Sequence, residues 1–61
     1  MTTNDVMKML YDMAKNEKDM RFKRYLMEKA REIDNALRQG NAERHLENLT
    51  TEAVLRLRKA A

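Results

Sequence analysis

MRFKRYLMEKAREIDNALRQG, residues Met20 to Gly40, decides the fold. Phe22, Leu26, Ala30, Ile33 and Leu37 follow one another at steps of four, four, three and four, so they share one face of a helical repeat. Most positions between them are Arg, Lys, Glu, Ala or Met, which lose little side-chain freedom in a helix. Gly40 is the expected stop, because glycine enters the left-handed conformation without a Cβ penalty. The stretch predicts a helix over 20–39. Tyr25 and Ala36 widen its apolar stripe on one side, and Met27 and Met20 on the other. The arc then covers roughly 200°, about twice what one packed face needs. Such a helix requires neighbours on two sides.

The segments around it supply candidates. Thr2, Thr3, Asn4 and Asp5 are N-cap residue types, and Thr2 with Asp5 has the spacing of a capping box. Val6, Leu10, Met13 and Ala14 then mark an amphipathic helix over about 3–16, flanked by Met7 and Met9. Asn16-Glu-Lys-Asp19 carries no apolar residue and reads as a short turn, with Asp19 as a cap for the next helix. The rival reading is one uninterrupted helix from 3 to 39, about 55 Å long, stable only inside a larger assembly. Glu17 breaks its apolar phase. Beyond Gly40, Ala42, Leu46, Leu49, Ala53, Leu57 and Ala60 recur at helical steps, predicting one helix over 41–60 with Asn41 as its cap. Thr50-Thr51-Glu52 has the composition of a fresh helix start, so a break near 49–51 is the alternative.

The expected fold is therefore all-α: a small three-helix bundle, or a helical hairpin plus a C-terminal helix, in one domain over 1–61. With 61 residues and no cysteine, the chain lacks disulfides and thiolate metal sites as staples. His45 alone builds no metal site. Completion by homo-oligomerisation is the expected remedy. Charged residues make up 38% of the chain, too many for a membrane span, and the N-terminus lacks the pattern of a signal peptide. A cytoplasmic protein is expected.

No enzyme is expected. The chain holds no serine and no cysteine, its carboxylates are interleaved with basic residues, and a single glycine cannot make a phosphate-cradling loop. No cofactor and no small-molecule ligand is expected in so short a chain. The six methionines are the unusual feature. Methionine fills core gaps, and it also covers adaptive protein-binding surfaces. On the second reading, Met7, Leu10, Tyr11, Met20, Tyr25 and Met27 contact a sister subunit or a protein target. The chain is then a small regulatory or adaptor protein, an inhibitor being one form of it, that works by the helix-in-groove mode.

The alternative is a DNA-binding or nucleoid-associated oligomer. Arg24, Arg31 and Arg38 are spaced by seven and share a helix face, and Arg56, Arg58 and Lys59 cluster at the C-terminal end. Such rows can follow phosphates. Glu28, Glu32 and Asp34 among the first row, and a net charge of only +3, suit a solvated face with internal ion pairs better. A short helix, a long helix and a short last helix opening with Thr give an outline that resembles the histone fold. Leu49-Thr-Thr-Glu-Ala-Val-Leu55 is similar to the start of that fold's last helix. The resemblance implies DNA contacts from Arg21, Arg24 and Arg31. Gly40 ends the central helix earlier than that outline requires and the basic residues are dispersed, so no family is assigned. In size and composition the chain is also similar to small bacterial, plasmid or phage regulators that dock a helical hairpin on a larger protein.

Overall fold

Thr2 opens the first helix through a reciprocal cap. Its hydroxyl accepts the Asp5 backbone N–H at 3.2 Å, and its own N–H donates to the Asp5 carboxylate at 3.2 Å. Two donors that a helix start leaves unpaired are satisfied in this way. The Thr2 backbone N–H, and then the Thr2 side chain, hold the Asp5 carboxyl below its ordinary pKa. The computed structural model describes residues 2–60, apart from the side chain of Ala60, whose expected place on the last stripe lies outside that description. It contains α1 (Thr3–Asn16), α2 (Met20–Gln39), α3 (Ala42–Leu46) and α4 (Thr51–Ala60). The described residues hold no strand, and the protein is all-α.

The uninterrupted helix from 3 to 39 does not form. Glu17 and Asp19 are extended, at φ −81°, ψ 129° and φ −76°, ψ 114°. The Asp19 carboxylate then accepts the Arg21 and Phe22 N–H groups at 2.9 and 3.4 Å and starts α2. A three-residue connection between two helices that pack along their length leaves antiparallel packing as the geometry. Val6, Leu10 and Ala14 on α1 and Leu26, Ala30, Ile33 and Ala36 on α2 are buried. Leu10, Leu26 and Ile33 are the largest fully buried side chains. Five of the ten buried residues described are alanines, which let the helix axes approach closely.

The segment after Gly40 is two helices, not one. Leu49 closes a turn by donating to Leu46 O at 3.2 Å. Thr50 then caps α4, its hydroxyl accepting the Ala53 N–H at 3.2 Å. Asn41 fails as a side-chain cap. It sits at φ −126°, ψ 30°, outside the extended region of an N-cap, and its side chain makes no capping bond. Ala42, Ala53 and Leu57 still fall on one buried side, so the apolar period survives the break. α3 packs on α2 and α1, and α4 packs on α1. Two short helices after the central one depart from the histone-like outline. No helix among the described residues is long and apolar enough to cross a membrane.

Gly40 has φ 81° and ψ 17°, the left-handed region. The Asn41 N–H reaches back to Ala36 O at 2.9 Å and the Gly40 N–H reaches Leu37 O at 3.3 Å, closing α2 in a Schellman arrangement. A Cβ at this position would meet nothing within 4 Å, so a side chain costs only backbone strain. Gly40→Ala is expected to lower the unfolding free energy by about 1–2 kcal/mol in urea titration. An unchanged midpoint would contradict the left-handed assignment.

Candidate functional site

The six residues expected at a partner surface separate into two groups. Leu10 is 0% exposed and belongs to the core, so it has nothing to offer a partner. This corrects its place among the contact residues: it lies in the middle of the buried row of α1 that faces α2. Met7 and Tyr11 are half-buried and pack against the same core. Tyr25 is half-buried too, and its hydroxyl is committed within the chain. It accepts the Thr50 N–H at 2.5 Å and lies 3.5 Å from Asn48 O, to which it can donate. Its ring stacks on Phe22 with centroids 5.8 Å apart, and the Lys29 ammonium lies 5.7 Å from its centroid. Tyr25 therefore ties the α3–α4 connection to α2.

Met20 and Met27 are different. They are 67% and 36% exposed, and they do not extend the buried arc as expected. The arc runs from Tyr25 and Ala36 through Leu26 and Ala30 to half-buried Lys23 and Asp34. It stops there because no other helix covers the far side of α2, where Arg24, Glu28, Arg31, Asn35 and Arg38 are all exposed. On that outer side, helical spacing sets Met20 and Met27 among Arg24, Arg31 and Arg38, all three exposed. The sequence reading treated the methionines and the arginine row as rival sites, and the structure places them on one face. The exposed residues of α2 include four arginines (Arg21, Arg24, Arg31 and Arg38) against one carboxylate, Glu28. Arg38 pairs with Asp34 at 3.8 Å. Arg24 and Arg31 form no ion pair among the described residues.

The C-terminal basic cluster does not act as a unit. Arg56, its side chain 39% exposed, pairs with Glu17 and with Glu52 at 2.9 Å, and lies over the Phe22 ring at 4.3 Å. It is committed to the fold and is withdrawn from the set of candidate phosphate contacts. The physical reason is Glu17, whose side chain is only 10% exposed and needs a cation. Arg58 and Lys59 are exposed. Sequence reading missed two features here. Glu17, noted only as a break in phase, anchors α4. Leu55, 52% exposed on the outer side of α4, is the third large apolar side chain at the surface. The helix wheel of α4 alone, with Ala53 and Leu57 opposite Leu55, could have shown the second.

His45 of α3 lies 3.9 Å from Glu32 of α2, which also accepts from Lys29 at 3.2 Å. A cavity of about 400 Å³, open to solvent, lies by Thr3, Leu37 and the residues from Gly40 to Arg44. Comparison of the chain with family models, with curated proteins and with solved structures finds no match.

Removing Arg56 strands a nearly covered carboxylate. Arg56→Ala is expected to cost about 2 kcal/mol of stability, in the range for hydrogen bonds to charged groups. Arg56→Lys should recover little, because an ammonium cannot fork between two carboxylates while lying flat on a ring. Equal stability of all three proteins in thermal unfolding would show that the pair contributes nothing.

Proposed function

We propose that the protein is a small non-enzymatic adaptor or inhibitor that binds another protein through the outer face of α2. The observation that supports this best is the exposure of Met20 and Met27 on the side of α2 that no other helix covers. Solvent-exposed methionines on a rigid helix offer adaptable apolar contacts, and the arginines around them supply the polar rim typical of such surfaces. α2 is tied down at both ends and along its inner side, so the face is presented without a backbone-ordering cost at binding. Of the six residues expected at the contact, Met20 and Met27 form its centre. Met7 and Tyr11 remain half-buried edge positions on α1.

Homo-oligomerisation is the other use of exposed apolar groups. The accessible surface, 4613 Å², exceeds the roughly 4,200 Å² that a monomer of this mass normally exposes. Pairing two outer faces of α2, however, sets four exposed arginines, Glu28 and the half-buried Asp34 against the same set, a net positive face on a net positive face. A different protein suits the face better than a second copy does. The nucleic-acid reading keeps Arg24, Arg31 and Arg38, which are exposed and could meet phosphates, but it has lost Arg56 and gives the two methionines no role.

A photo-crosslinking residue placed at position 27, and separately at position 12 on the exposed side of α1, tests the proposal in the native cells. The expected result is a discrete protein adduct from position 27 that is absent from position 12 and lost when Met20 is also changed to Gln. Adducts to nucleic acid, or the same adducts from both positions, would overturn it.

A further inference from the structure

We infer that the occupant of this face is an acidic amphipathic helix laid lengthwise along α2, its carboxylates on Arg24 and Arg31 and its apolar side chains on Met20 and Met27. The inference rests on the protein-binding reading of the face and names the chemistry of the partner.

Spacing is the first argument. Met20, Arg24, Met27, Arg31, Asp34 and Arg38 follow one another at alternating steps of four and three. Met20, Met27 and Asp34 recur at intervals of seven, as do Arg24, Arg31 and Arg38, the interval at which side chains keep facing a second helix along its length. The row extends about 27 Å at 1.5 Å per residue, nearly all of α2. A partner helix of comparable length can therefore stay in contact from end to end.

Charge is the second. Arg38 already has Asp34, whereas Arg24 and Arg31 have no carboxylate partner among the described residues. Two guanidinium groups, about 10.5 Å apart along the axis, are available to carboxylates at the same heptad interval. The two methionines beside them decide among anionic partners. A phosphate backbone offers no apolar surface to Met20 and Met27, whereas an amphipathic helix offers both carboxylates and apolar groups. A lipid surface calls for a broad apolar face, but Leu26 and Ile33 of α2 are already buried in the core.

The test uses three labelled probes titrated with the intact protein. One is a helical peptide of about 20 residues with Glu and Leu on one face and Ala and Gln elsewhere. The second replaces each Glu with Lys. The third is a duplex DNA of about 20 base pairs. The inference expects saturable binding of the acidic peptide, none of the basic one, and weakening as salt is raised. The double substitution Arg24→Gln, Arg31→Gln should reduce the affinity on the order of tenfold, since each exposed pair contributes modestly. Met20→Gln with Met27→Gln leaves the charge intact and should weaken binding as well. Circular dichroism should be unchanged in both variants, because all four side chains lie outside the core. Equal binding of the acidic and basic peptides, or full affinity in the arginine variant, overturns the acidic partner and leaves the protein-binding reading standing. Binding of neither peptide also overturns the inference. Preference for the duplex overturns both.

Discussion

The width of the buried arc on α2 is the constraint on which the rest of the structure depends. The buried and half-buried apolar side chains of α2, from Tyr25 and Ala36 through Ile33 and Leu26 to Ala30, form a stripe wider than one neighbouring helix covers. α1 covers part of the arc through Val6, Leu10 and Ala14, and the segment after Gly40 must cover more. It does so only because Gly40 turns the chain sharply through a left-handed residue, which places Ala42 against the end of the hairpin at once. With five alanines among the ten buried residues described, the core relies on close approach of backbones and on three large side chains. Loss of any one of Leu10, Leu26 or Ile33 removes a large share of so small a core.

The third layer is held differently from the first two. α4 buries only Ala53 and Leu57 among its described side chains, and polar contacts at its start and middle tie it to the hairpin. At its start, the Tyr25 hydroxyl holds the Thr50 N–H and the Thr50 hydroxyl holds Ala53. Further along, Arg56 reaches Glu17 in the hairpin turn and lies on Phe22. Few buried apolar contacts and exposed hydrogen bonds are the marks of a segment that opens before the rest. The outer face of α2 is independent of this layer, since none of its exposed residues contributes to the attachment of α4. The exposed side of α2 and the cohesion of the fold on its other side are physically separate.

Local rules made the hairpin legible in the sequence. The capping box at Thr2, the Asp19 cap, the steps of three and four along both helices and the Gly40 stop are all short-range signals, and each acts where it was expected. Thr50-Thr51-Glu52 also declared a helix start, although the apolar period ran through it and favoured a single helix. The features that escaped are long-range. Glu17 meets Arg56 across 39 residues, and Tyr25 meets Thr50 across 25. No local pattern announces such pairs. Met20 and Met27 were placed in the arc because methionine counts as apolar on any wheel. Which flank of a wide arc is buried depends on the side from which the neighbours approach, and that is set by the connections at 17–19 and at Gly40 together. Leu10 was read as a contact residue for the converse reason, since a core position and an interface position share one period.

The functional account follows from that geometry: an exposed methionine and arginine face that the fold does not need, on a helix that the fold makes rigid. The most direct check is the midpoint of urea unfolding measured over a wide dilution series. A chain whose outer α2 face is a free binding surface unfolds at a midpoint independent of its own concentration. A midpoint that rises with concentration would show that this surface, or another, is a seam between copies on which folding depends, and would contradict the account.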